Sequence, residues 1–341
     1  MKARTTILGR ALVLAPAILL LGVALGAQQA PRSGAPAWTA PRTADGQPDL
    51  QGVWANDVIT PVQRPEQLKD RPTLTEAEVA SLRAKVAELF TGGQDAAFSD
   101  SLFIAAISDA KEFRSSDKAT GNYNHFWLSE RTFDNRTSLI FDPPDGRIPA
   151  FTPDGQKRTD ATAARRKEHP ADGPEDRGLS ERCISFGVPN LLAGYNSNVQ
   201  IFQSRDYVVV VHENIHDARL IPLDGRPHVS SSISSWRGDS RGRWEGDTLV
   251  VETANFVKHA YQGATEQLRL TERFTRSAED TLQYEFTVED PQTWTRPWSG
   301  MIPYQKRDAR IYEYACHEGN YGMEGILSGH RAQEAAAQHV H

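Results

Sequence analysis

Between Val199 and Cys316 apolar and polar residues alternate with a period of two, the pattern of a half-buried β-strand. The alternation is clearest over Thr281–Glu289. Leu282, Tyr284, Phe286 and Val288 fall on one face, and Thr281, Gln283, Glu285, Thr287 and Glu289 on the other. Successive strand side chains point to opposite faces, so this segment has one dry and one wet side, as antiparallel sheets allow. Thr248–Thr253 is a shorter strand, entered through the hairpin-like turn Arg243-Trp244-Glu245-Gly246-Asp247. Arg276–Asp280 links the strand Leu268–Thr275 to the next, and Asp224-Gly225 marks another turn. Over Thr75–Phe90 the period changes: Val79, Leu82, Val86, Leu89 and Phe90 share one helical face, and Thr75 with Glu78 forms a capping box. The predicted class is mainly β. An antiparallel meander of about eight strands closes into a barrel, or forms a strongly curved open sheet, with one or two peripheral helices.

The ends of the chain follow other rules. Lys2, Arg4 and Arg10 precede an apolar run from Ala11 to Leu25, and small residues permit cleavage after Gly26 or Ala27. The run is shorter than the ~20 residues of a spanning helix, and Pro16 interrupts it. Residues 1–27 therefore read as a secretory signal, with no stable membrane insertion once it is removed and a periplasmic or secreted product. Residues 28–45 read as a linker, 46–330 as a single β-rich domain with an exposed excursion over 155–181, and 331–341 as a loose helical tail.

Charge and cysteine content narrow the partners. With 38 Lys+Arg against 44 Asp+Glu the net charge is −6, which argues against nucleic-acid binding. At 39% hydrophobic and 24% charged residues the chain is able to build a packed core. Two cysteines are too few for a disulfide scaffold or a four-Cys zinc site. In an exported protein Cys183 and Cys316 are expected to pair, closing a long loop worth roughly 4–5 kcal/mol in the chain-entropy model. A catalytic thiolate at Cys316 beside His317 is the alternative.

Two resemblances bear on the fold. Gly52-Val53-Trp54, at the entry to the first strand, resembles the Gly-x-Trp of lipocalin-type barrels. Longer blocks run through almost all of the chain after the signal: Pro48–Trp54, Arg136–Ile140 with Pro143–Arg147, His216–Arg219, Asp224–His228, Gly242–Val251, Glu272–Phe274, Asp290-Pro291 and Glu313–Tyr321. In these the chain resembles a family of exported bacterial proteins of unestablished activity. This resemblance implies a compartment and a fold, not a reaction; the lipocalin-like barrel is what Gly52-Val53-Trp54 implies.

Several groups are candidates for chemistry. His212-Glu213-Asn214-Ile215-His216 spells H-E-x-x-H, a zinc-peptidase pattern that requires a helix. Here it follows the β-branched run Tyr207–Val211, and on a strand residues i and i+4 lie about 13 Å apart, too far for one ion. His216, Asp217, Arg219, Arg226 and His228 gather near a strand end and a turn, where Arg forks and His rings suit an anion or carbonyl clamp. The alternative is a solvated loop with surface ion pairs. Glu272 shares its face with Leu268, Leu270 and Phe274, so it is either paired, with an Arg of a preceding strand, or a general acid or base inside the barrel. His317 and Glu318 follow Cys316 with Asn320 and Tyr321, as site residues or as a structural clasp. Trp54, Trp127, Trp236, Trp244, Trp294 and Trp298 either line an apolar cavity or belong to the core.

The expectation is a barrel that takes a small, partly apolar organic ligand into its interior, either carrying it or acting on it by metal-free acid–base chemistry of the isomerase or lyase type. The candidate catalytic residues are Glu272, His216, His317 and Glu318. The candidate ligand-binding residues are Arg219, Arg226, His228, Trp236, Trp244 and Arg273. No cofactor and no metal are expected. The alternatives are a metal-dependent hydrolase using His212, His216, His228 or His317 from separate strands, and a structural or interaction protein of the cell envelope.

Overall fold

A computed structural model describes residues 38–89, 99–108 and 131–338. The signal-like segment, most of the linker, Phe90, Trp127 and the last three residues of the tail lie outside these. The strands are β1 (Gly52–Ala55), β2 (Ile140–Asp142), β3 (Asn198–Gln203), β4 (Tyr207–His212), β5 (Asp217–Pro222), β6 (Asp239–Glu245), β7 (Thr248–Ala254), β8 (Arg269–Arg276), β9 (Thr281–Glu289) and β10 (Trp298–Arg307). All belong to one sheet in the order β5-β4-β3-β1-β10-β9-β8-β7-β6, with β2 also on β10. Every ladder is antiparallel.

This order is a meander bent into a ring. β1 pairs with β3 on one side and with the last strand, β10, on the other, so Trp54 faces both Val199 and Lys306 across the ladders. The barrel is thereby nearly closed, and one seam, between β5 and β6, has no ladder. Side chains cover it. A Cβ built on Gly242 of β6 would lie 2.7 Å from the Leu223 side chain and 2.8 Å from that of Ile221, so any larger residue would have to displace these methyls. The inward faces follow the sequence parity: Leu282, Tyr284, Phe286 and Val288 are all buried, as are Leu270, Glu272 and Phe274.

Aromatic rings fill the interior. Tyr284 stacks on Tyr304 at 5.3 Å and meets Phe274 at 4.8 Å and Phe286 at 5.7 Å. Phe286 meets Trp298 edge-on at 5.8 Å, and Trp298 meets Trp294 in the same way at 6.1 Å. Trp54, Trp294 and Trp298 are core residues, at most 2% exposed, rather than the lining of a cavity.

The helices number more than the one or two expected: α1 (Glu76–Leu89), α2 (Ser99–Ile107), α3 (Pro153–Glu168) and α4 (Tyr321–Gln338). Thr75 caps α1 as the sequence predicts, its Oγ1 accepting from Glu78 N–H while its own N–H donates to the Glu78 carboxylate. That hydrogen bonding, led by Arg71, holds the Glu78 carboxyl down at about 2. Leu82, Val86 and Leu89 of α1 join Leu102 and Phe103 of α2 in a separate small core. The excursion predicted over 155–181 is helical in its first half, α3, whose residues other than Gly155 are not buried. Thr152 caps it by accepting from Gly155 N–H, and Pro153 starts it. A Cβ on Gly155 would lie 2.5 Å from Thr293 O, so this glycine seats α3 against the segment between β9 and β10. The helical tail is also longer than expected, since α4 starts at Tyr321. Among the described residues no helix is long and apolar enough to cross a membrane.

Candidate functional site

The structure separates most of the residues grouped by sequence. Glu272 of β8 points into the barrel, 1% exposed, and meets Arg219 of β5, 5% exposed. The contact is bidentate: Arg219 Nη1 donates to Oε1 at 3.0 Å and Nη2 to Oε2 at 2.6 Å. Tyr284 Oη adds a third donor to Oε1 at 2.9 Å. Burial works against the Arg219 charge, but the adjacent Glu272 carboxylate outweighs it and raises the guanidinium pKa. Burial, reinforced by Glu272, pushes the Tyr284 phenol well up, so it stays a donor. Glu272 therefore does meet an arginine of a preceding strand. The pair also bridges β5 to the far side of the seam, where the backbone ladder is missing.

The H-E-x-x-H segment is neither a helix nor a continuous strand. His212 ends β4, Asp217 opposite it opens β5, and Asn214–His216 is the turn between them, with Ile215 and His216 at positive φ. The 13 Å strand spacing is thus corrected: His216 left the strand because the chain reverses there. The turn holds the segment after β10. Glu213 accepts from Asn198 Nδ2 at 2.6 Å and from Tyr312 N–H at 3.1 Å, and His216 Nε2 accepts from Tyr314 N–H at 2.8 Å. Two residues on, Cys316 is bridged to Cys183, with Cα atoms 5.7 Å apart. His212 is pushed down to about 3 by burial and by the Arg219 and Arg237 charges.

The remaining candidates are dispersed. Asp217 pairs with Arg237, and Arg226 with its neighbour Asp224 and with Tyr207 Oη. His228 Nδ1 lies 2.9 Å from Asp239. The clamp expected of His216, Asp217, Arg219, Arg226 and His228 does not assemble: Asp217 and Arg219 share the buried face of β5, His216 lies in the turn before it, Arg226 and His228 lie in the segment after it, and Asp217, Arg219, Arg226 and His228 each have a different partner. Arg273 points outward to Glu245 at 3.0 Å. Trp244 packs half-buried against the core, and His317 and Glu318 are exposed beyond Cys316.

Three clefts stand out, and none is lined by the inward aromatic face. A groove of 820 Å³ lies beside the bridge, lined by Asn196, Asn198, Glu213 and Tyr312–Cys316. A recess of 390 Å³ is lined by Phe186, Pro189, Leu191, Leu192 and Tyr261. The third, of 580 Å³, lies under α3 and includes Trp236. Searches found no matching family model, curated protein or solved structure.

The α3 cleft has an unusual charge balance. Six basic residues line it, Arg158, Arg165, Arg166, Arg177, Arg182 and Lys258, against two acidic ones, Glu175 and Asp176. Some of the charge is already matched: Arg165 pairs with Asp176 at 2.7 Å and Arg177 with Glu181 at 2.7 Å. The basic last turn of α3 also suits the helix dipole. Arg158, about two turns earlier, is held by Gln292 O and Thr293 Oγ1, and its Nε is buried with no partner. Among the described residues the Arg182 and Lys258 side chains have no hydrogen-bond or ion-pair partner. His259 is lowered by burial and by the nearby Lys258 and Arg158 charges. Phe151 and Trp236 supply aromatic walls. Of these residues Trp236 was legible in the sequence, and Arg158, Arg182 and Lys258 were not. The Thr152-Pro153 start and the Ala- and Arg-rich run after it were the signal for α3.

Proposed function

We infer that this is an exported protein that binds a small, partly apolar organic molecule, and that the molecule sits in the cleft under α3 rather than inside the barrel. The observation that carries the reading is the cleft itself: aromatic walls, Trp236 and Phe151, beside six basic side chains on a chain of net charge −6. Ligand sites are concave, largely apolar and furnished with a few fixed polar groups. The ring-filled barrel acts as the scaffold. The signal-like start and the Cys183–Cys316 bridge support export, because disulfides persist in oxidising compartments. Binding is favoured over acid–base catalysis at Glu272, because a general base must come within reach of the substrate. The Glu272 carboxylate is 2% exposed and already holds three donors.

Thermal-shift screening of the mature protein against small aromatic compounds tests this. At least one compound should raise the melting temperature, and Trp236→Ala should weaken its binding about tenfold, the loss of ~1.4 kcal/mol of contact. The reading fails if no compound shifts the wild-type protein, or if Trp236→Ala binds every active compound equally well.

A further inference from the structure

The α3 cleft shares a wall with the 390 Å³ recess: Leu179, His259 and Gln262 line both. The two sides differ in chemistry. One carries the cations that lack counter-ions, Arg182 and Lys258, with Arg158 and its unpartnered Nε. The other is largely apolar, with Phe186, Leu191 and Leu192. The shared loop is held in an uncommon conformation. His259 has φ +64° and Gln262 φ +42°, the left-handed region that side chains other than glycine's seldom adopt. Two hydrogen bonds keep the loop there, His259 N–H to Ala264 O at 2.8 Å and Ala264 N–H to Tyr261 O at 2.7 Å. Strained loops of this kind cluster at ligand sites, where surrounding contacts over-determine them.

We propose that the two recesses are one site for an arylalkyl carboxylate, its carboxylate among Arg158, Arg182 and Lys258 and its apolar body passing His259 toward Phe186 and Leu192. The proposal rests on the binding function inferred above and names the ligand class. Arginine presents a planar fork that matches a carboxylate, and lysine adds a compact charge. The body covers apolar surface that otherwise faces water. A bulky polyanion suits the site less, because Glu175 and Asp176 stand on the same rim and half of the combined lining is apolar.

Isothermal titration of the mature protein with phenylbutanoate, phenylbutanol and acetate tests the inference. Phenylbutanoate should bind at least tenfold more tightly than phenylbutanol, and acetate more weakly than either. Raised salt should weaken only the carboxylates. The double variant Arg182→Ala/Lys258→Ala should bind phenylbutanoate at least tenfold more weakly and phenylbutanol as before, whereas Leu192→Asn should weaken both. Both Arg182 and Lys258 lack side-chain partners, so the melting temperature of the double variant should match that of the wild type. Equal affinity for acid and alcohol, no binding of the acid, or acid binding indifferent to the double variant would overturn the inference. Binding that depends on Trp236 would still stand in the first and third cases, and its loss would instead remove the function on which the inference rests.

Discussion

The barrel interior and the α3 cleft both place arginines among aromatic rings, yet they are chemically opposite. In the interior, Arg219 finds Glu272 on the same chain, and Tyr284 completes the carboxylate's donors. Under α3, six basic residues line the cleft against two acidic ones; Arg165 pairs with Asp176 and Arg177 with Glu181 outside the lining, while Arg182 and Lys258 have no counter-ion within the described residues. A buried charge must be matched wherever it is enclosed, so the interior pair is self-sufficient and serves the fold. A half-open cleft is under no such constraint, because water solvates its cations until an anion replaces it. The lesson is that the location of a charged residue matters less than whether the chain supplies its partner.

The strongest way to break the comparison is to remove the interior counter-ion. Glu272→Gln keeps the shape but leaves Arg219 as an unmatched buried cation, and urea unfolding should show a loss of about 3–5 kcal/mol. Arg219→Met/Glu272→Leu/Tyr284→Phe should recover most of it, since an apolar set in the same volume carries no desolvation cost and leaves no buried hydroxyl without its acceptor. If Glu272→Gln leaves stability unchanged but abolishes ligand binding, Glu272 belongs to a working site and the two regions are not opposites.

A second measurement asks how far the interior charge reaches. His212 lies near Arg219 and Arg237, and burial with those charges depresses its folded pKa to about 3, below the ordinary 6.5. The folded state thus resists a proton that the unfolded state accepts. The contribution to stability is complete above pH 6.5 and is lost as pH falls from there toward 3, about 1 kcal/mol of it by pH 5.5. His212→Gln should flatten that stretch of a stability-against-pH curve, whereas an unchanged slope would place His212 outside the reach of these charges.

The smallest effect belongs to the outward arginine. Arg273 faces Glu245 on the wet side, with both side chains 40% exposed. Arg273→Ala should shift stability by less than about 0.5 kcal/mol, as exposed pairs do. A loss of several kcal/mol would mean that outer-face pairs, and not only the interior one, hold the sheet together.

The inner face of β8 and β9 was legible residue by residue, because parity on a strand is a local property. That parity put Glu272 inside. It did not identify Arg219, whose approach depends on the barrel bending until β5 comes opposite β8. The H-E-x-x-H letters were legible and misleading. Its function as the turn that grips Tyr312 and Tyr314 rests on backbone hydrogen bonds to a segment far along the chain. The α3 helix was obscured by its own polarity: only Gly155 among its residues is buried, so it carries almost no apolar stripe.

The sequence by itself determined what depends on neighbours a few residues apart. It set the strand faces, the Thr75 cap, the hairpin at Gly246-Asp247 and the inward position of Glu272. Tertiary structure alone decided the closure of the ring at β1, the Arg219–Glu272 bridge across the seam, and the cleft that joins Arg158, Arg182, Trp236 and Lys258. Those features arise where distant segments meet, and the free energy that selects them comes from burying the rings and matching the charges together. No short stretch of residues carries that information.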